Sequence, residues 1–149
     1  MKSKWKKPPK NFKPKPRIIR DIDDLLDDIV SKYIRLRDEK CVQRGQGGCW
    51  GVLTCGHVFS RNGKSTRWDI AKDGNNHAQC WGHNRAETED NKPYRNWYKQ
   101  KFGEEKFKEL ERRYWKPKYW SLKEKKELLQ YVQVKYANLK KKKGINRDY

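Results

Sequence analysis

Three cysteines and a histidine in the first two thirds of the chain have the side-chain types that bind zinc. They are Cys41, Cys49, Cys80 and His83. The last two are separated by two residues, as in short zinc knuckles, and the first two form a looser pair. Cys55 could replace Cys49, and His77 is a weaker competitor. The pattern predicts one structural Zn²⁺ site, and the alternative is buried cysteines that act as small hydrophobic residues.

A histidine and two asparagines lie among these residues and could support phosphodiester hydrolysis. His57 follows an expected strand and a glycine, where its imidazole could deprotonate a water molecule as a general base. Asn84 follows His83 and could offer its carbonyl oxygen to a catalytic Mg²⁺, while Asn75 could orient His57. Each residue alone is a weak signal, because single histidines are often structural and asparagines near helix starts often form caps. Their order along the chain, together with the zinc ligands, favours a small metal-dependent nuclease.

The composition favours a polyanionic partner. The chain has 38 Lys and Arg residues against 19 Asp and Glu, a formal charge of +19, which suits binding to DNA phosphates. Hydrophobic residues are only 34% of the chain, so a metal would help to stabilise a thin core. No apolar run approaches the roughly 20 residues of a membrane span, and no apolar signal region follows the N-terminal lysines. We therefore expect a cytoplasmic protein without a membrane partner.

The elements that must position these residues are predicted from periodicity and capping. Residues 1–20 hold nine Lys or Arg, four Pro and no acid, which predicts a flexible basic arm where Trp5 and Phe12 could stack on bases. Helical spacing predicts a helix over 21–39, whose early aspartates should be solvated partners of the helix dipole. Those aspartates are Asp23, Asp24, Asp27 and Asp28.

Residues 40–92 should form the metal-bound core and residues 93–143 the C-terminal helices, within one domain over 21–149. Short strands are predicted at 50–54 and 58–59, and a helix is expected to begin near 82–84. Pro93 fits the first turn of a helix that stops at Gly103. Ser121 and Glu124 form a capping box for a last helix that ends in lysines. The sequence therefore predicts an α+β fold.

Several segments, taken in their order along the chain, resemble the NinG (Rap) family of bacteriophage recombination endonucleases, a branch of the HNH or ββα-metal nucleases. They are Cys41, Gly56-His57, Thr66-Arg67-Trp68-Asp69, the run from Asn75 to Asn84, and Pro93-Tyr94-Arg95. The similarity extends from the helix before Cys41, through 102–105, to the final Lys-rich helix. The resemblance implies a zinc-stabilised ββα-metal (HNH-like) core flanked by α-helices. It also implies cleavage of branched recombination intermediates such as Holliday junctions and displacement loops.

By motif position, the resemblance gives His57 the general-base role, Asn75 the middle HNH position and Asn84 the final, Mg²⁺-binding position. Three residues depart from the usual family pattern. Arg44 occupies the usual place of a second cysteine, His83 replaces a cysteine, and Gly56 stands where many HNH sites have an acid. Either Cys49 completes the zinc site or the site has three protein ligands.

DNA contacts and partners complete the expectation. Arg61, Lys64 and Arg67 could hold the scissile phosphate, or they could be solvated loop charges. Trp68 and Trp81 are better suited to core packing than to base stacking. Symmetric junction resolution needs two nicks, which favours a homodimer, and recombination proteins are further candidate partners. The alternatives to a branched-DNA endonuclease are a general HNH nicking enzyme and a non-catalytic, zinc-stabilised DNA-binding protein.

Overall fold

The structure, a computed structural model, describes residues 21–146 of the 149-residue chain. Its elements in chain order are α1 (Ile22–Asp38), a 3-10 turn (Arg44–Gln46), β1 (Leu53–His57), β2 (Asn76–Cys80), α2 (Trp81–Glu87), α3 (Lys92–Phe102), α4 (Glu104–Trp115) and α5 (Leu122–Lys143). Over this range the fold is mixed α+β, with five α-helices and one two-stranded antiparallel sheet. The predicted arm over 1–20, with Trp5 and Phe12, lies outside the described residues. No helix within 21–146 combines the length and apolarity needed to cross a bilayer.

Local contacts set the helix ends, and those predicted for α3 and α5 are confirmed. Asp21 caps α1, its Oδ1 accepting from the backbone N–H of Asp24 at 3.0 Å. Ser121 and Glu124 form both hydrogen bonds of the predicted capping box at the start of α5. Helix α3 has its proline in the first turn and ends at Gly103, as predicted. These ends depend on contacts within a few residues, which explains why the sequence alone reveals them.

The predicted strands at 50–54 and 58–59 are wrong. A single strand, β1, runs through the expected turn, and it pairs with β2 so that Leu53 lies opposite Cys80 and His57 lies opposite Asn76. Strand β2 is polar, yet all five of its residues are buried. Asn76 finds its partners inside the protein: its amide donates to the carbonyl oxygens of Arg67 and Asp69 at 3.1 and 2.8 Å.

Two apolar clusters hold the sheet and the loop between its strands in place. The first joins α1, the loop, β2 and α5 through Leu26, Val30, Ile34, Trp68, Ala78 and Val132. The second joins the segment after β1 to α3 and α4 through Val58, Phe59, Tyr94, Tyr98, Phe107 and Leu110. Trp68 is 4% exposed, which confirms its predicted place in the core. Helix α5 packs along α1, and Lys143 Nζ donates to the Leu36 carbonyl oxygen and pairs with Glu39, both at 2.6 Å.

Asp27 is buried, so its prediction as a solvated partner of the helix dipole is wrong. Its side chain is 4% exposed and accepts two hydrogen bonds from Arg67, with Nη2 at 2.6 Å and Nε at 3.0 Å. The Trp68 indole N–H donates to the same carboxylate at 2.8 Å. Asp27 therefore attaches the interstrand loop to α1. The sequence alone does not reveal this role, because an acid near a helix start can either interact with the helix dipole or pair with a residue far along the chain.

Asp27→Ala is expected to destabilise the protein by roughly 3 kcal/mol, because Arg67 would keep a largely buried charge without its partner. The measurement is urea unfolding of the zinc-loaded protein. Asp28→Ala is the matched control, since Asp28 pairs with Lys32 at a more exposed position one residue along α1 and should change stability by less than about 1 kcal/mol. Equal losses for the two variants would contradict the structural role of Asp27.

Candidate metal centre and adjoining groove

The zinc ligands predicted from sequence come together at one end of the sheet. Cys41 lies just after α1 and Cys49 on the loop that follows it, while Cys80 ends β2 and caps α2, and His83 lies in the first turn of α2. Their ligand atoms all lie within 4.8 Å of one another. Two distant stretches of chain thus converge on one point.

The distances suit tetrahedral zinc. His83 Nδ1 lies 3.3 Å from the sulfur of Cys41, 3.6 Å from that of Cys49 and 3.2 Å from that of Cys80. Zinc bonds of about 2.3 Å to sulfur and about 2.0 Å to nitrogen, at tetrahedral angles, would separate S and N by about 3.5 Å. The cluster could therefore hold a zinc ion through three sulfurs and Nδ1 of His83.

The two buried cysteines share a hydrogen bond. The Cys41 thiol donates to the Cys80 sulfur, which lowers the pKa of Cys80 and raises that of Cys41. The backbone N–H of His83 also donates to the Cys80 sulfur, at 3.4 Å. Cys80 is thus already favoured as a thiolate, the form that binds a metal.

Cys55 is not part of the cluster, so Cys49 is the fourth member. The Cys55 sulfur lies 3.9 Å from Asn76 Oδ1, and burial raises the pKa of the thiol to about 12. It behaves as a small core residue. The loop reaches Cys49 through Gly47 and Gly48, whose φ angles of 77° and 78° are left-handed and favour glycine.

A groove of about 590 Å³ is lined by residues of α1, β1 and α2 and of the loop after β1. His57 from the end of β1 and Asn84 from α2 both line it. Charged side chains that also line it are Asp27, Asp28, Arg35, Arg61 and Arg67. The structure therefore brings a candidate base and a candidate metal-binding amide to one groove lined by charges of both signs. Two of its lining residues, Trp81 and Asn84, follow the predicted zinc ligands Cys80 and His83 in sequence.

Asn84 is held by its amide nitrogen. Nδ2 donates to Thr54 Oγ1 at 2.8 Å, and the Thr54 hydroxyl donates to the Gln79 carbonyl oxygen at 2.8 Å. These two hydrogen bonds fix the orientation of the Asn84 amide. The side-chain carbonyl oxygen of Asn84 is therefore the end that is offered to a ligand. Since Asn84 follows His83 on α2, the metal cluster also fixes its position.

Asn75 forms hydrogen bonds with the backbone of the segment that follows His57. It is fully buried, with Oδ1 accepting from Phe59 N–H and Nδ2 donating to the Phe59 carbonyl oxygen, both at 2.8 Å. The backbone N–H of Val58 donates to the Asn75 carbonyl oxygen at 2.9 Å. Asn75 therefore fixes the path of the chain immediately after His57.

A side chain at Gly56 would require Gln79 to move. A Cβ at Gly56 would overlap the side chain of Gln79, whose amide in turn donates to Gln43. The Tyr94 hydroxyl donates to the Gly56 carbonyl oxygen at 3.1 Å. Close packing on this face of β1 explains the missing acid before His57, and the groove instead has Asp27 and Asp28 from α1.

The basic residues predicted to hold phosphate occupy different positions. Arg67 is committed to Asp27 and its side chain is 14% exposed. The Arg61 side chain is 52% exposed at the groove, with one nitrogen 3.3 Å from Asp27. Lys64 is exposed on the loop beside Trp120, which donates to its carbonyl oxygen at 2.9 Å. Arg35, which sequence reasoning missed because it lies on a core helix, also lines the groove.

His77 is a core residue outside the metal cluster. Its Nε2 donates to the Gly74 carbonyl oxygen at 2.8 Å, and Nδ1 accepts from Arg37 at 3.3 Å. The ring packs edge-on against Trp97 with 4.8 Å between centroids. Burial, assisted by the Arg37 charge, lowers the pKa of His77 to about 4. The neutral ring joins α1, β2 and α3.

Acid should therefore destabilise the protein through His77. An unfolded histidine titrates near 6.5, so between that pH and the folded pKa of about 4 the unfolded chain binds more protons. The stabilisation is complete above about pH 6.5, and about 2 kcal/mol of it should be lost by pH 5. The measurement is the pH dependence of unfolding free energy for the wild type minus that of His77→Gln, in which zinc effects cancel. A pH-independent difference would contradict the buried neutral ring.

Comparison with known protein families gives a match over most of the chain. A family model described as the bacteriophage lambda NinG protein matches residues 1–143. Searches of curated proteins and of solved structures give no match.

Proposed function

This chain belongs to the bacteriophage lambda NinG family, which indicates a phage recombination-related protein, and on that premise we propose that it is a metal-dependent DNA endonuclease. Its substrates would be branched recombination intermediates such as Holliday junctions and displacement loops. The observation that carries the proposal is the presence of His57 and Asn84 on one groove beside the Cys/His cluster.

The local architecture supports an HNH-type site. Strands β1 and β2 and helix α2 follow one another in the ββα order that the family resemblance implied. His57 ends the first strand, Asn75 immediately precedes the second, and Asn84 lies on the helix. His57 and Asn75 thus lie at one end of the paired strands, and Asn84 on the helix contacts Thr54 in β1.

In the proposed reaction, His57 accepts a proton from the water that attacks the phosphorus. The water oxygen forms the new P–O bond as the bond to the leaving oxygen breaks. Asn84 Oδ1 would hold Mg²⁺, which when bound stabilises negative charge on the phosphate and the leaving oxygen. Arg61 and Arg35 would neutralise the substrate phosphates, and Asn75 would keep the backbone after His57 in place.

The Cys/His cluster has a structural role in this proposal. Four protein ligands leave a tetrahedral zinc ion with no open position for substrate. The ion would connect the loop after α1 to the start of α2, and thereby position Asn84. The structural and catalytic metals are therefore expected to be separable by experiment.

The test is to incubate the zinc-loaded protein with Mg²⁺ and labelled four-way junction, linear duplex and single strand. Preferential cutting of the junction supports the proposal, and equal cutting of junction and duplex indicates a general nicking enzyme. Binding without cutting in both Mg²⁺ and Mn²⁺ would overturn the nuclease assignment in favour of a DNA-binding protein. Sedimentation of the protein with and without junction tests the proposed homodimer.

A further inference from the structure

The connection between α4 and α5 exposes large aromatic side chains. Trp115 is 72% exposed at the end of α4, and Tyr119 is 88% exposed within the connection. Exposing such rings forfeits the stabilisation that their burial would provide, roughly 25 cal/mol for each Å² of apolar surface. Side chains of this kind are therefore candidates for contact with a partner.

Positive charge surrounds these rings. The segment from Arg112 to Trp120 contains four Lys or Arg residues, four aromatic residues and no acid. Arg113 and Lys118 form ion pairs with Asp69 and Glu124. Arg112 and Lys116 are exposed and line a depression of about 550 Å³. Lys108, Trp115 and one acid, Glu111, complete its lining, so three cations face one carboxylate. Cations beside exposed rings match the phosphates and flat bases of a nucleic acid, and an apolar protein surface would leave those cations unpaired.

The segment is fixed to the loop that leaves the candidate catalytic strand. The Ser65 hydroxyl donates to the Lys116 carbonyl oxygen at 2.6 Å, and the hydroxyls of Ser60 and Tyr114 lie 3.1 Å apart. Tyr114 stacks on Phe59 with 5.1 Å between centroids, and Trp115 packs against Tyr114 at 4.9 Å. A continuous series of rings thus joins Trp115 to the residues just beyond His57.

We propose that Trp115 and Tyr119 stack on unpaired bases of branched DNA while Arg112 and Lys116 contact the adjoining phosphates. The proposal rests on the nuclease function proposed above and refines its substrate, because bases are unpaired at flaps, displaced strands and strained branch points but not in intact duplex. Stacking on a ring requires no particular base, so the surface recognises DNA structure without reading sequence.

The test measures binding by fluorescence anisotropy of the zinc-loaded full chain, with Ca²⁺ in place of Mg²⁺ to suppress cutting. The probes are a duplex with a thymidine flap, the same duplex with an abasic flap, and a blunt duplex. Trp115→Ala should weaken binding to the thymidine flap about 10-fold, and the double variant with Tyr119→Ala should weaken it further. The abasic and blunt probes should change less than about twofold.

Two controls separate stacking from general damage. Tyr131→Ala removes a ring that is 53% exposed on α5, outside the segment, and should leave all three affinities unchanged. Lys116→Ala should weaken all probes similarly and reduce the salt dependence of binding.

Equal weakening of thymidine and abasic flaps by Trp115→Ala, or no weakening of either, would overturn the proposal. A change in the oligomeric state of Trp115→Ala would also overturn it, because the rings would then be assigned to contacts between copies of the chain. Failure of the nuclease proposal has a separate result. The wild-type protein would then cut no DNA in Mg²⁺ or Mn²⁺, while Trp115→Ala would still lose more affinity for the thymidine flap than for the abasic flap.

Discussion

His57→Ala is expected to reduce junction cleavage by about 100- to 10,000-fold, the range typical for losing a general base. DNA binding should be nearly unchanged, because Arg61 and Arg35 remain in the groove. The measurements are single-turnover cleavage with protein in excess and anisotropy with a labelled junction. Thermal unfolding should show that the variant is folded.

Asn84→Ala is the informative companion to His57→Ala. Loss of the proposed Mg²⁺ ligand should be partly reversed by raising Mg²⁺, whereas loss of the base should respond to added imidazole and not to Mg²⁺. Full cleavage by a folded His57→Ala protein would show that another group deprotonates the water. Weakened junction binding by that variant would assign His57 to substrate contact instead.

Cys80→Ser is expected to cost the protein its zinc and at least about 3 kcal/mol of stability. A structural zinc ion stabilises small domains strongly, and Cys80 contributes both a ligand and the cap of α2. The midpoint of thermal unfolding should fall by more than about 10 °C. Elemental analysis of the purified variant should show zinc well below the wild-type content.

Cys55→Ala is the matched control for Cys80→Ser. Cys55 is a partly buried cysteine two residues before His57, but its sulfur lies outside the cluster. The variant should keep its zinc and lose only the small stabilisation that one buried sulfur provides. Normal zinc content and thermal stability in Cys80→Ser would contradict the metal assignment, as would loss of zinc from Cys55→Ala.

Local signals account for the parts of the fold that sequence predicts well. The Ser121 capping box and the glycine after α3 each act within one turn of a helix. The convergence of the two pairs of proposed zinc ligands was also predictable in outline, because several cysteines and a histidine in one cluster are typical of a zinc site. These features need no knowledge of distant contacts.

Long-range polar contacts account for what the sequence did not reveal. Strand β2 reads as a polar loop because the partners of Asn76 and Gln79 are distant backbone and side-chain groups. The choice between Cys49 and Cys55 required the path of the Gly47-Gly48 loop, which spacing alone does not specify. Asp27 was missed for the same reason, since its partner Arg67 is 40 residues away.

The packing of α5 on α1 has a consequence for how the chain acquires its native state. Val132 belongs to the same cluster as Leu26 and Ile34, so the first helix stays partly uncovered until the last one arrives. Contacts of such sequence separation form slowly. Because α1 also lines the groove, assembly of the groove is expected to wait until α5 has packed on α1.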